Sequence, residues 1–167
     1  FQESGDDIFL IRLPMVSSWG QIGELNQVSQ FSGELNIAET AKFIENLKNW
    51  TNQEGGKIST KLVGKFGLLY SLYRLCSEEL GFQVHGGEWA QSPGDWFKEN
   101  FYEVLVSGKN LDESSIKIHF NNQKDVIVRK IGQVIPAQIA LNGKGISLTE
   151  LHLMYETGWR IHFEKLV

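Results

Sequence analysis

The hydrophobic pattern of this 167-residue chain changes its period at Gly108, and this change constrains the fold more than any other feature. Before Gly108, apolar residues recur three and four apart, which is the spacing of one helix face. After it, apolar and polar residues alternate, first over residues 116–120 and again over 126–131, as in a half-buried strand. The second half of the chain therefore predicts four or five antiparallel strands, mainly within residues 115–165.

The apolar spacing and the cap residues in the first half of the chain predict three helices. Asn36 and Glu39 have the spacing of a capping box, and the apolar period that follows predicts a helix over residues 37–51. Residues 60–80 are apolar on two sides, which indicates a central helix. A serine, a proline and an aspartate in cap positions then begin a third helix over residues 93–107.

These elements predict an α+β fold, with three N-terminal-half helices packed on a C-terminal antiparallel sheet of four to five strands in a single domain, residues 1–167. A short apolar run, IFLIRL at residues 8–13, adds one strand ahead of the helices. The segment 147–157 fits two structures. Its alternation favours a strand, whereas the capping-box spacing of Ser147 and Glu150 fits a helix.

The last part of the chain contains the segment YETGWRIHF, in which a glycine turn leads into alternating aromatic and polar residues. This segment resembles the closing hairpin of the cone-shaped domains similar to nuclear transport factor 2. The resemblance implies a curled, cone-like form of the sheet. It implies no function.

Charge and hydropathy argue against two classes of partner. The net charge is −4, and the lysines and arginines are scattered along the chain, so nucleic acid is not an expected partner. The most apolar stretch, residues 62–80, is interrupted by Lys65, Arg74, Glu78 and Glu79. A segment that crosses a bilayer needs about 20 predominantly apolar residues, so membrane insertion is not expected either.

The single cysteine and the first residues bear on the compartment. Cys76 cannot form a disulfide within the chain and lies among leucines, where burial raises the pKa of a thiol, so we expect it to be inert. This cysteine usage favours a reducing compartment, and we expect a cytoplasmic location. The chain begins FQESGDD, without an initiator methionine, which predicts a processed product or a piece of a longer protein.

Two glycine-flanked loops contain the candidate binding residues. His85, Glu88 and Trp89 lie in HGGEW, and Trp19 lies in SSWGQIG. Glycine allows a sharp turn or the close approach of a ligand, and an exposed tryptophan ring can grip a partner. The more ordinary interpretation is a plain turn in which Trp89 packs back on the helices.

A second set of polar residues gives an alternative, catalytic interpretation. If residues 116–120 and the last segment are strands, His119, Arg160, His162 and Glu164 lie on their polar faces. A curled sheet would bring a base, a cation and a carboxylate into one concavity. A solvated polar face is the commoner outcome for antiparallel sheets.

Motif searches favour binding over catalysis. The chain has no nucleophile elbow, no phosphate-binding glycine loop and no paired metal ligands at zinc spacing, so we predict no cofactor and no metal. The sequence therefore predicts a non-enzymatic protein-interaction or ligand-binding domain. A protein partner or self-association is the first expectation, and a small molecule is the second. The alternative is a small-molecule enzyme of the hydrolase or isomerase type.

Overall fold

The computed structural model describes residues 1–13, 37–87, 92–97, 102–120, 123–154 and 157. Within these residues, a mixed seven-stranded sheet is combined with helices in an α+β arrangement. The strands are β1 (Asp7–Arg12), β2 (Ile58–Leu62), β3 (Leu80–Val84), β4 (Glu103–Gly108), β5 (Ile127–Pro136), β6 (Gln138–Leu141) and β7 (Lys144–Ser147). The helices are α1 (Ile37–Glu54), α2 (Gly67–Tyr73), α3 (Glu113–Ile118) and α4 (residues 148–154), with a 3₁₀ helix at Pro93–Phe97.

The strand order across the sheet is β2-β4-β1-β5-β3-β6-β7. β1 lies near the centre, antiparallel to β4 on one side and to β5 on the other. β3 and β6 are parallel, and the other neighbouring pairs are antiparallel. The strands that pair with β1 are therefore drawn from the second half of the chain, and β1 itself from its first residues.

Helices pack on both faces of this sheet. In β1, Ile8 and Leu10 point into one hydrophobic core, and Phe9 and Ile11 point into the other, because successive side chains of a strand face opposite sides. The α2-side core also contains Leu68 and Leu72 of α2, Trp96 of the 3₁₀ helix, and Val63, Phe82, Val84, Leu105, Ile131, Val134 and Ile139. The α1-side core contains Phe43 and Trp50 of α1, Ile116 of α3, and Leu13, Ile58, Val104, Val106, Phe120, Val126 and Val128.

This arrangement corrects the predicted fold. The predicted sheet was antiparallel, had four to five strands from the C-terminal half, and carried its helices on one face. The observed sheet is mixed, has seven strands from both halves, and is covered on both faces. The cone-like form is therefore wrong as well. The segment YETGWRIHF, except for Thr157, lies outside the described residues.

The helix predicted over residues 60–80 is wrong. The structure has β2, α2 and β3 in this region, with a turn in which the Gly67 N–H donates to the Gly64 carbonyl at 3.0 Å. Most apolar residues of this range belong to α2 and the turn that follows it, and short apolar runs do not distinguish a strand from a helix by their period. Gly81, expected to end the helix, lies inside β3, where a Cβ atom would collide with the backbone of Gln138.

The helix predicted over residues 93–107 is also wrong beyond its first turn. The predicted cap, in which the Ser92 side-chain oxygen accepts from a helical N–H, is not the one observed, because the Ser92 N–H and hydroxyl both donate to Asp95 Oδ2, at 2.8 and 2.9 Å. The helical conformation is 3₁₀ and extends over Pro93–Phe97. Residues 103–108 form β4, in which every side chain is buried, so its apolar residues belong to a central strand.

The strand predicted at residues 116–120 is a helix, α3. Asp112 caps its first turn by accepting from the Ser114 and Ser115 N–H groups, at 2.8 and 2.9 Å, and Ser115 completes a capping box. The hydrogen bond from the Ser115 backbone holds the pKa of Asp112 below its usual value. A well-capped turn outweighs the apolar alternation of residues 116–120, which is too short a stretch to settle the period.

Two further predictions have different outcomes. The helix predicted over residues 37–51 is present as α1, Ile37–Glu54, with Phe43 and Trp50 buried. The strand favoured for residues 147–157 is wrong in the part that is described, because residues 148–154 are helical. The Glu150 N–H donates to Ser147 Oγ at 3.0 Å, so the capping interpretation of this segment is the one that the structure follows.

Candidate ligand-binding cleft

A cleft of about 620 Å³ lies between the end of α2 and the first turns of α4. Its size falls within the range of small-molecule sites, about 300–1,000 Å³. One wall contains residues that follow or end α2, and the other contains residues of α4. The lining residues are Tyr73, Arg74, Cys76, Ser77, Glu78, Leu148, Thr149 and His152.

The first wall is shaped by two consecutive turns after α2. The Arg74 N–H donates to the Tyr70 carbonyl and the Cys76 N–H to the Tyr73 carbonyl, both at 3.0 Å, which continues the coil for one more turn. The Ser77 N–H then donates to the Leu80 carbonyl at 3.0 Å, and the Leu80 N–H donates back to Ser77 Oγ at 3.1 Å. This reciprocal pair turns the chain into β3 and leaves the Arg74 and Glu78 side chains exposed at the cleft.

The second wall begins at the end of β7. Ser147 caps α4 through its hydroxyl, as described above, and the Leu148 N–H donates to the Ala137 carbonyl at 3.0 Å. Leu148 and Leu151 pack against the α2-side core, so the apolar side of α4 lies against the sheet. Thr149 and His152 are exposed along the cleft.

Ala137 connects the two walls. Its N–H donates to the Glu79 carbonyl at 2.8 Å, next to the first wall, while its own carbonyl accepts from Leu148 in the second. The turn between β5 and β6 that contains Ala137 is tight, with a φ of 40° at this residue. A positive φ is costly for a residue with a Cβ atom, so the surrounding hydrogen bonds maintain it.

The cleft combines an apolar part with opposite charges. Tyr73, Cys76 and Leu148 are half-buried and pack against the α2-side core. Arg74 supplies a permanent positive charge and Glu78 a carboxylate. Neither Arg74 nor Glu78 forms an ion pair with any residue that the structure describes. Both charged side chains are exposed at the cleft.

The thiol of Cys76 is not a nucleophile at neutral pH. Burial raises its pKa from 9.0 to about 12, because a thiolate is poorly solvated away from water. The thiol lies 3.6 Å from the Leu72 carbonyl, to which it donates a hydrogen bond. This confirms the expectation of a raised pKa, and it indicates that Cys76 contributes surface rather than chemistry.

Of the predicted binding residues, only His85 can be located. It follows β3, is exposed, and its Nε2 lies 2.9 Å from Gln83 Nε2. Its backbone N–H donates to the Ile131 carbonyl at 3.2 Å, and the next N–H, of Gly86, donates to Asn142 Oδ1 at 2.5 Å. His85 is not among the residues of the cleft. Trp19, Glu88 and Trp89 lie outside the described residues, so their role stays a prediction.

The predicted catalytic cluster required a strand at residues 116–120, and the structure has helix α3 there. His119 does not lie on a strand. It is the C-terminal cap of α3, where its ring stacks on that of Trp50 at 5.5 Å between centroids and 22° between planes. Arg160, His162 and Glu164 lie outside the described residues. The strand that was expected to carry His119 is therefore absent, and the convergence of the four side chains stays a prediction.

Sequence analysis missed most of the cleft. Tyr73, Arg74 and Cys76 were assigned to a single long helix, and His152 to a strand. One signal was available, the capping-box spacing of Ser147 and Glu150, which marks the start of α4. The pairing of the two walls has no sequence signal, because it depends on the parallel contact of β3 with β6.

Within the described part of the chain, no group of three or more His, Cys, Asp or Glu residues is placed to hold a metal ion. Among the same residues, no helix has both the length and the apolar character that a membrane crossing requires. No family model matches the sequence, and none of the curated proteins is significantly similar to it.

Proposed function

We propose that the protein is a non-enzymatic binding domain whose cleft takes a small zwitterionic molecule with an apolar part, such as an amino acid with an apolar side chain. The observation that carries the proposal is the pair Arg74 and Glu78, two opposite charges at one cleft with no ion-pair partner among the described residues. A guanidinium binds a carboxylate in bidentate fashion, and a carboxylate binds an ammonium group. The apolar part would lie over Cys76 and Leu148.

Two features support binding over catalysis at this site. The Cys76 thiol stays protonated at neutral pH, which removes the strongest nucleophile of the cleft. The Ser77 hydroxyl takes part in the turn after α2, where its oxygen accepts from the Leu80 N–H at 3.1 Å. A free thiol as the single cysteine also fits the cytoplasmic location that we propose.

The ligand class can be tested with three matched molecules: L-leucine, leucine amide, which lacks the carboxylate, and N-acetyl-leucine, which lacks the ammonium group. We expect L-leucine to shift the backbone amide resonances of Ser77 and Thr149 in an NMR titration. We expect each of the other two to bind about tenfold more weakly, which corresponds to about 1.4 kcal/mol.

Substitutions assign the two charges. Arg74→Gln should bind L-leucine and leucine amide equally, because the partner of the carboxylate is gone. Glu78→Gln should bind L-leucine and N-acetyl-leucine equally. Glu79→Gln, an exposed neighbour that does not line the cleft, is the control and should behave as the wild type. The proposal fails if Glu79→Gln weakens binding as much as Arg74→Gln, or if none of the three molecules shifts the cleft resonances.

The protein-partner part of the sequence prediction has its own support. Several large apolar side chains are more than half exposed among the described residues, including Ile37, Leu62, Phe66, Leu153 and Met154. Exposed apolar side chains indicate a protein-binding site when they lie beside backbone groups without hydrogen bonds or beside charged side chains. One part of the surface meets this condition, at an edge of the sheet.

A further inference from the structure

β2 is an edge strand of the described sheet. It pairs with β4 on one side, and no described strand pairs with it on the other. An edge strand presents a row of backbone N–H and C=O groups to which another strand can add. The cleft lies at α2 and α4, whereas this edge lies at the far end of the strand order from β6 and β7. No residue of β2 lines the cleft.

The hydrogen bonds of β2 determine which groups face outward. The Val63 N–H donates to the Glu103 carbonyl of the β4 side at 2.8 Å. In an antiparallel pair, hydrogen-bonded and non-hydrogen-bonded positions alternate, so Lys61 also directs its backbone groups to β4. The N–H and C=O groups of Thr60 and Leu62 point away from β4. They form no hydrogen bond with any other described residue.

The side chains around this edge are basic, although the whole chain carries a net charge of −4. Lys57, Lys61 and Lys65 recur every four residues through β2 and its two ends, and Glu54 is the one carboxylate within residues 54–66. None of the three ammonium groups has an ion-pair partner among the described residues. The Lys65 ammonium lies 5.4 Å from the centre of the Phe66 ring.

An apolar surface adjoins the lysines. Leu62 is 62% exposed and lies on the same face of β2 as Thr60, while Lys61 lies on the opposite face. Phe66 lies at the start of α2 and is 56% exposed. Its φ is 72°, and the centre of its ring lies 5.3 Å from the centre of the Tyr70 ring. A residue with a large side chain seldom adopts this conformation, which is enriched at functional positions.

We propose that the outer edge of β2 binds an extended acidic segment of a partner protein, which adds to the sheet as an eighth strand. Its backbone pairs with the free groups of Thr60 and Leu62. Its acidic side chains alternate with apolar ones, so that carboxylates face Lys61 and its neighbours while an apolar side chain covers Leu62. A second copy of the chain does not fit this edge, because two such edges would bring lysines together.

The test uses a seven-residue peptide of alternating glutamate and valine with both ends blocked, and a second peptide in which lysine replaces glutamate. Both are titrated into the whole protein, with the backbone amide resonances of β2 as the readout. We expect the acidic peptide to shift the resonances of Thr60 and Leu62 and to protect their amides from hydrogen exchange. We expect the basic peptide to bind at least tenfold more weakly.

Two variants and a matched control test the role of the edge. Lys61→Glu should weaken binding of the acidic peptide at least fivefold, whereas Lys144→Glu, the same change in β7 at the opposite edge of the described sheet, should leave it within twofold. Thr60→Pro removes an outward N–H, which an edge strand tolerates, and should abolish binding while the rest of the amide spectrum is kept.

Three results would overturn the proposal. The first is equal binding of the acidic and basic peptides. The second is equal loss of binding in Lys61→Glu and Lys144→Glu. The third is a concentration-dependent dimer in sedimentation equilibrium that Thr60→Pro abolishes, because the edge would then bind a second copy. None of these experiments depends on the ligand of the cleft, so they test the binding at β2 independently of the proposed function of the cleft.

Discussion

The backbone of Ala137 is hydrogen-bonded to Leu148: the Leu148 N–H donates to the Ala137 carbonyl at 3.0 Å, and the Ala137 N–H in turn donates to the Glu79 carbonyl at 2.8 Å. A single residue in the turn between β5 and β6 thereby fixes the start of α4 relative to the chain that follows α2. The walls of the cleft belong to these two segments. The distance between the two walls is therefore set by Ala137, which does not line the cleft.

Substitution of Ala137 tests this relationship. Ala137→Pro removes the N–H that Glu79 accepts and cannot adopt a φ of 40°, so we expect it to destabilise the fold by about 2 kcal/mol. Ala137→Gly keeps the hydrogen bond and tolerates the positive φ, so its free energy of unfolding should change by less than about 1 kcal/mol. Urea denaturation measures the free energy of unfolding of both variants. Equal stability of the two variants would contradict the role of Ala137.

The raised pKa of Cys76 predicts slow alkylation. Because burial raises this pKa from 9.0 to about 12, the thiolate fraction at pH 8 should be about a thousandfold lower than in the unfolded chain. The folded state favours the protonated thiol. The stability that this provides is present below pH 9 and is lost as the pH rises towards 12.

Iodoacetamide labelling followed by mass spectrometry measures this difference at pH 8, with the native protein beside the protein in urea. Cys76→Ser, which cannot be labelled at this position, is the control for other modified sites. Native labelling as fast as labelling in urea would contradict the burial of the thiol. A thiol of this kind would also return Cys76 to the list of candidate nucleophiles.

Arg12 and Glu103 form an ion pair between β1 and β4. The carboxylate side chain of Glu103 is 1% exposed, whereas that of Arg12 is 34% exposed. A buried carboxylate without its partner is costly, so Arg12→Met should destabilise the protein by about 3 kcal/mol. Replacing both residues, Arg12→Met with Glu103→Met, should restore most of this loss, because no buried charge is left.

Denaturant titrations of the two single variants and the double variant provide a complete cycle. Lys109→Met is a matched control, since Lys109 forms an ion pair with Glu3 in which both side chains are exposed, and its loss should cost less than about 1 kcal/mol. If the double variant is less stable than Arg12→Met alone, the ion pair is not the reason that Arg12 is needed.

The stack of His119 on Trp50 predicts a structural role for both residues. Trp50 is buried in the α1-side core, so Trp50→Ala should cost about 3–5 kcal/mol. His119→Ala should cost only about 1 kcal/mol, the value of a ring contact. His152→Ala, in the cleft, should leave stability nearly unchanged. Thermal unfolding compares the three variants, and a larger loss in His119→Ala than in Trp50→Ala would contradict the prediction.

Several elements could be predicted from the sequence because their signals are local. The long amphipathic period of α1 and the short apolar run of β1 correspond to observed elements. Each predicted end of these two elements lies within three residues of the observed end. The cap of Ser147 on the Glu150 N–H also forms, because it involves groups three residues apart. The cap of Ser147 was identified, but the strand interpretation was preferred to it.

The errors share one physical cause. A short apolar run has a similar spacing in a buried strand and in a buried helix, so the apolar residues of 60–80 and of 93–107 do not decide between the two. Only contacts distant in the sequence distinguish the two. β4 is a strand because β1 and β2 lie on either side of it, and Gly81 is required because the backbone of Gln138 approaches it.

The amino-acid sequence by itself determined that α1 is amphipathic and that Ser147 caps a turn, since each depends on residues a few positions apart. The tertiary structure decided that both faces of the sheet are covered, that Arg74 and Glu78 meet the wall of α4, and that β2 is left at an edge. These features depend on which strands pair across 42 or more residues. That choice is made by the burial of two cores together, which no local pattern specifies.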